Sequence, residues 1–186
     1  VFKPFNRTIH VIDGFWPLPD WPVYMGVDPH VYGRKNQAAL WLSITPDKDL
    51  ILYDEIWDDL TIEALRDAII AHDNPSDGRL KPSIKMRLID TSINVREALS
   101  HKNFRQLIQS PDKLGRKISF RSASKHNLLT PGLEVINQLL EPKEDKDGVK
   151  RPRIYVDSRC RRTIEEFELH AWKKTRIGEE PEEKEL

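Results

Sequence analysis

The chain has little cysteine, little glycine and no long apolar run. Cys160 is its one cysteine in 186 residues. A single thiol closes no internal disulfide, and no CxxC pair offers a zinc site. A reducing compartment therefore fits. Cys160 falls at a core-facing position of an expected helix, where a buried structural thiol is the simpler reading than a nucleophile. No apolar stretch approaches the ~20 residues that span a bilayer. No charged segment followed by an apolar one marks a signal peptide, so no membrane partner is expected. Net charge is also absent, with 30 Lys and Arg against 30 Asp and Glu. That balance argues against a uniformly basic nucleic-acid binder. The chain opens on Val1 rather than Met, inside a strand-rich segment, and reads as a piece of something larger.

What is present describes an ordinary globular domain, with 38% hydrophobic and 32% charged residues. One domain over residues 1–178 is expected, with residues 1–22 as a lead-in. Residues 179–186 form a tail of five Glu and one Lys, expected to be flexible. The zero total hides local excess. Arg151, Arg153, Arg159, Arg161, Arg162, Lys173, Lys174 and Arg176 form one basic stretch, and Arg116, Lys117, Arg121 and Lys125 another. Such groups either make a basic face for nucleic acid or simply solvate helix surfaces, and the sequence leaves both open.

Periodicity orders the elements. Residues 9–12 (IHVI) read as a short strand, followed by an irregular segment from Gly14 to Pro22 that carries Trp16 and Trp21. Strands are expected over Val23 to Asp28, Gln37 to Thr45 and Leu50 to Trp57, with the Pro46-Asp47-Lys48-Asp49 turn between the last two. Short connections make these an antiparallel meander. Ile62, Leu65 and Ile69 then recur at helical spacing behind the acids and cap of Asp58, Asp59 and Thr61. Residues 84–90 (IKMRLID) form a fourth strand. Val95, Ala98, Leu99, Leu107 and Ile108 suggest one or two helices, and Lys117 to Arg121 a fifth strand. Thr130 caps a helix with Pro131 at its first position. Its inner face is Leu133, Ile136 and Leu140. Glu141 to Pro152 reads as a flexible charged loop, Arg153 to Val156 as a sixth strand, and Cys160, Ile164, Phe167 and Ala171 as a last helical stripe. A meander followed by strands linked through helices predicts an α/β fold. Its mixed sheet carries three antiparallel strands, then parallel ones, with helices on both faces.

Two aspartates end strong apolar runs: Asp28 closes VYMGVD and Asp90 closes RLID. Hard divalent cations prefer oxygen ligands, and two such ions ~3.5–4 Å apart clamp the attacking and leaving oxygens of a phosphodiester. Ends of adjacent central strands hold such carboxylates rigidly. If the first and fourth strands of this set are parallel neighbours, both carboxylates project from one sheet edge. Taken singly, either aspartate reads as a turn or cap residue; the pair together is what points to metal chemistry.

Other residues have two readings each. Glu55 sits either at the rim of the metal site or on the surface as a supporting acid. His30 either approaches the metal or a phosphate or is an exposed loop residue. Lys125 and His126, after the fifth strand, either hold a phosphate or belong to a polar loop. Trp41, Trp57 and Trp172 read as core, and Asp157 as the cap of the last helix.

These residues also carry a resemblance. The segment RTIHVIDGFWPLPDWPVYMGVDPH resembles the entry to the nuclease domain of phage terminase large subunits, where a His-Val strand leads through a Pro-Trp segment to a Gly-[Ile/Val]-Asp strand. The likeness continues, in the family's order, through ALWLSITPDKDLILYDEIW, LIDTSIN, FRSASKHNLLTPGLEVINQLL and RIYVDSRCRRTIEEFELHAW. It implies an RNase H-like fold, Mg²⁺ or Mn²⁺ with two ions in a complete site, and cleavage of concatemeric double-stranded viral DNA during genome packaging. Asp28 and Asp90 match the family's first and second metal-binding aspartates; Glu55 is a further candidate ligand, and Arg121, Lys125 and His126 are candidate DNA contacts. The implied partners are an N-terminal ATPase motor domain, the portal and the small terminase subunit, and the implied location is the host cytoplasm rather than the mature virion. Two departures stand out. No GxxxxGK[ST] phosphate loop occurs, so this piece carries no ATP-driven motor. The family's third metal ligand follows the last helix in a segment rich in Asp and His, and here EEPEEKEL offers no match. Other RNase H-like enzymes, such as resolvases and transposase cores, would use the same two aspartates; a non-catalytic DNA-binding or docking piece is the reading without chemistry.

Overall fold

The computed structural model describes residues 2–30, 35–90, 104–123, 129–145 and 147–169, and the backbone of two short paired segments, 171–172 and 183–184. In chain order the elements are α1 (Arg7–His10), β1 (Val11–Ile12), β2 (Pro22–Asp28), β3 (Gln37–Ile44), β4 (Leu50–Asp58), α2 (Ile62–Asp73) and β5 (Ser83–Ile89). There follow α3 (Phe104–Ile108), β6 (Arg121–Ser122), α4 (Leu129–Leu140), β7 (Lys143–Glu144), β8 (Lys150–Arg151), β9 (Ile154–Asp157), α5 (Arg161–Leu169), β10 (Ala171–Trp172) and β11 (Glu183–Lys184). Seven of these strands form one sheet in the order β1-β9-β4-β3-β2-β5-β6.

The sheet is mixed in the manner the sequence predicts. The β2, β3 and β4 strands pair antiparallel, while β2–β5, β5–β6, β4–β9 and β1–β9 pair parallel. Burial alternates along the central strands. Val23, Met25 and Val27 of β2 are buried, with Gly26 and Asp28 exposed between and beyond them. The buried set faces a core with Ala39, Trp41, Ile51, Tyr53 and Ile89, covered by Leu65, Ile69 and Ile70 of α2 and Phe104 and Ile108 of α3. The other face packs Leu52, Ile154 and Val156 against Leu140 of α4 and Ile164 and Phe167 of α5, with Phe2 and Phe5 of the lead-in beside them. An irregularity between Trp41 and Leu42 leaves Tyr53 as the extra residue of β4. Glu55 and Trp57 therefore share a face with Leu52, while Asp54 shares one with Trp41.

Several sequence-based boundaries move, each for a local reason. The IHVI strand is split. Asn6 accepts the Thr8 N–H with its side chain and starts one helical turn, which leaves only Val11 and Ile12 to pair with β9. The fifth strand shrinks to Arg121–Ser122, because the Phe120 N–H donates to the Gln109 side chain instead of a ladder partner. The α4 helix begins at Leu129, one residue before the expected cap. The charged loop after α4 contains a two-stranded hairpin, Lys143–Glu144 with Lys150–Arg151, turned where Gly148 takes φ 72°. Such a left-handed conformation favours glycine. Within the acidic tail, Glu183–Lys184 pair with Ala171–Trp172. The helical positions expected at Val95, Ala98 and Leu99 lie outside the described residues. No described helix is long and apolar enough to cross a membrane.

One buried charge network ties α2 to the sheet. Asp73, 4% exposed, accepts two hydrogen bonds from the Arg87 guanidinium of β5 and one from the Trp41 indole at 3.4 Å. Its Oδ1 also lies 3.2 Å from His72 Nδ1. Burial alone would raise the Asp73 pKa, but His72 and Arg87 outweigh it and hold the carboxyl below its ordinary range. Removing one partner strands the other charge in the core. Asp73→Ala is therefore expected to lower the unfolding free energy by about 3 kcal/mol in urea denaturation. Asp77→Ala, which removes an exposed pair with Arg79, should leave the denaturation midpoint in place. Because the native Asp73 pKa is depressed, its contribution is complete above the unfolded carboxyl range and is lost as pH falls through the native value.

Candidate active site at the ends of β2 and β5

The register of two parallel strands builds the site. In the β2–β5 ladder Gly26 stands beside Leu88 and Val27 beside Ile89. The Asp90 N–H donates to the Val27 carbonyl at 3.1 Å and extends the ladder one step. Asp28 and Asp90 are thus the next adjacent pair, on strands about 4.8 Å apart. Both follow a buried residue, Val27 and Ile89, and so stand on the opposite face from the α2 core. The Asp28 side chain is 55% exposed. Two carboxylates at one sheet edge are an oxygen donor set of the kind that Mg²⁺ or Mn²⁺ takes. Among the described residues no group of three or more His, Cys, Asp or Glu gathers to hold a metal. Two carboxylates alone make up only part of a divalent cation's shell of about six or more oxygens.

The same face carries a groove of about 680 Å³. Its floor runs from Asp28 and Gly26 across Leu40 and Leu42, and its far wall includes Ile136 and Leu139 of α4. Gly26 contributes nothing above the backbone, and a Cβ built there meets no atom within 4 Å.

The other candidates fall in different places. Glu55 is not beside β2. The β3 strand lies between them, with Glu55 paired to Leu40 and Leu40 to Gly26. Its carboxylate is turned to the start of α5, where it accepts from the Arg162 N–H at 2.7 Å, the Thr163 N–H at 2.9 Å and the Thr163 hydroxyl at 2.7 Å. Of the two readings of Glu55, metal-site rim or supporting acid, these contacts favour the second: it serves as the anionic cap of α5, where unpaired N–H groups and the helix dipole favour negative charge. Asp157 does not hold that role. It is fully buried, accepts from the Phe15 N–H at 2.7 Å and binds Arg159, which together hold its pKa down despite burial. It pins the lead-in to the turn before α5.

Arg121 lies in register with Leu88, on the same face as the aspartate pair and one strand beyond Asp90. It is exposed. Lys125 and His126 lie outside the described residues. Four residues of the two basic groups are drawn into ion pairs among the described residues: Arg153 with Asp49 and Asp145, Arg159 with Asp157, Arg162 with Glu165 and Glu166, and Arg116 with Asp112. Trp41 is core, at 1% exposure. Trp57 is not; it is exposed, with the Arg162 guanidinium 4.9 Å above its ring. Cys160 is fully buried, and burial pushes its thiol pKa up, which suits a structural and not a nucleophilic residue. Sequence reasoning missed Gln37, which is fully buried and binds the backbone of His30. A polar residue opening an apolar strand gives no sign of this, since the burial is tertiary.

No protein-family model matches the chain, and no curated protein matches it. Solved structures do. The P22 large terminase nuclease domain superposes with a TM-score of 0.59 over 91% of this chain and 78% of that one, at 15% identity. A large terminase from a thermophilic bacteriophage, in complex with ADP, superposes with a TM-score of 0.59 over 93% of this chain, at 14% identity. The chain spans 37% of that larger protein. The fold is RNase H-like. More narrowly, it is the fold of phage large-terminase nuclease domains.

The capping role of Glu55 yields a test. Glu55→Ala removes three hydrogen bonds at the α5 N-terminus and is expected to cost about 1–2 kcal/mol in chemical denaturation. Its Mn²⁺ affinity, read by electron paramagnetic resonance, should match the parent's. Unchanged stability with lost affinity would return Glu55 to the metal.

Proposed function

We propose that this chain is a divalent-metal-dependent endonuclease domain that cleaves double-stranded DNA during viral genome packaging. The observation that carries the reading is the Asp28–Asp90 pair, brought side by side at the ends of two parallel central strands by the β2–β5 register. The fold shared with the P22 large terminase nuclease domain supports it. In this reading Asp28 and Asp90 hold Mg²⁺ or Mn²⁺, with two ions in a complete site and a further ligand beyond these two residues. When bound, such ions lower the pKa of a water nucleophile and offset charge on the leaving oxygen. The chain's own part is to hold two carboxylates at fixed spacing on rigid strands. Arg121, one strand beyond Asp90 on the same face, pairs with backbone phosphates and sets position rather than sequence. In the whole protein the domain works with an ATPase motor, the portal and a small terminase subunit, in the host cytoplasm.

Plasmid nicking tests this. The parent chain should nick in Mn²⁺ and more weakly in Mg²⁺, because affinity at such sites favours transition metals. Asp28→Asn and Asp90→Asn should each abolish nicking. The fold should survive, and apo stability should hold or rise, because one of two adjacent like charges is gone. Parental cutting by either variant would remove that residue from the site. For Arg121→Ala, DNA affinity should fall equally for unrelated sequences, and with it the steepness of the salt dependence. A loss limited to one sequence would contradict phosphate contact.

A further inference from the structure

Asp28 has a neighbour whose own position is fixed from inside the protein. His30, two residues on, brings its imidazole Nε2 to 3.4 Å from the Asp28 Oδ2. Its side chain is 19% exposed, against 55% for that of Asp28. The backbone of His30 is gripped by Gln37, the first residue of β3, which is fully buried. The Gln37 Oε1 accepts the His30 N–H at 2.9 Å, and its Nε2 donates to the His30 carbonyl at 2.6 Å. The same Nε2 also donates to the Leu60 carbonyl at 3.2 Å, just before Thr61 caps α2. A carboxamide has one acceptor oxygen and two N–H donors. Here all of that capacity serves backbone groups, and the side chain pairs with residue 30 as a neighbouring strand would.

We propose that Gln37 is a positioning residue of the Asp28 metal site. It fixes the backbone of His30, and through the His30 imidazole it fixes the orientation of the Asp28 carboxylate. The inference rests on the nuclease reading above. The physical reason is preorganisation. An exposed carboxylate at a strand end must give up side-chain freedom on binding a cation. An imidazole held 3.4 Å from the Asp28 Oδ2 narrows that freedom beforehand. Either the neutral Nε2–H tautomer or the imidazolium can donate, so the effect does not depend on His30 changing charge. Gln37 touches neither metal nor substrate. Glutamate cannot replace it, having no N–H for the two carbonyls, and asparagine is one methylene shorter.

The first readout needs no metal. In the apo protein a nuclear Overhauser contact between the His30 ring and the Asp28 Hβ protons is expected for the parent and lost in Gln37→Met. Absence of that contact in the parent overturns the proposal, as does its persistence in folded Gln37→Met. The second readout is Mn²⁺ affinity, measured by electron paramagnetic resonance on the parent, Gln37→Met, His30→Ala and the double variant. Each single change should weaken binding by about 10-fold, the scale of losses from outer-shell partners of a metal. The double variant should be no worse than the worse single one, because both act through one imidazole. Multiplying losses overturn the proposal. So does parental affinity in His30→Ala, a variant that keeps the Gln37 grip on the backbone and covers the case in which Gln37→Met does not fold. A parent that binds no Mn²⁺ defeats the nuclease reading instead, and the metal-free contact then decides the role of Gln37.

Discussion

Everything at the candidate site depends on the register between β2 and β5. Val23, Met25 and Val27 are buried on one face, and Gly26 and Asp28 emerge on the other. A slip of one residue would drive Asp28 into the apolar core and expose Val27, a reversal of every side chain on the strand. Burial on β5 adds the same constraint from its side, with Ile89 at 1% exposure immediately before Asp90. Hydrophobic burial therefore places the two carboxylates, although neither takes part in it.

The surrounding charges are divided between support and surface. The Asp73 network clamps α2 to β5 beneath the sheet, and Asp157 clamps the lead-in to the turn before α5. Glu55 spends its charge on the first N–H groups of α5. These carboxylates are held by partners that use their oxygens, each at a point where two segments meet. Asp28 and Asp90 differ in place, at adjoining strand ends, with Asp28 lining an open groove. That difference in setting, more than residue type, separates candidate ligands from structural acids.

The fold was legible because its strands are strongly patterned. VYMGVD, QAALWLSI and LILYDEIW announce themselves as strands, and short turns between them allow only a meander. The helix between β4 and β5 made β5 a parallel strand, but its place beside β2, on which the pairing of Asp28 and Asp90 was conditional, is seen only in the ladder itself. What escaped was tertiary. No local pattern distinguishes a metal-binding glutamate from one that caps a helix more than a hundred residues further along, which is why the α5 cap expected at Asp157 falls to Glu55 while Asp157 holds the lead-in. Gln37 was missed and Trp57 misread as core for the same reason, one a polar residue buried by tertiary contacts and the other an apolar one left at a strand's exposed end. The strand over residues 117–121 was overextended because a side chain, Gln109, took the hydrogen bond that a ladder would have used.

In the proposed site the ends of β2 and β5 together bind a divalent cation. Paramagnetic broadening of the amide spectrum during a Mn²⁺ titration tests it most directly, since broadening falls steeply with distance from the ion. Early loss of the Val27, Asp28, Ile89 and Asp90 signals together is expected, while the α5 amides beside Glu55 and the α2 amides beside Asp73 persist. Broadening that begins at α5 or α2, or that touches β2 without β5, would contradict it.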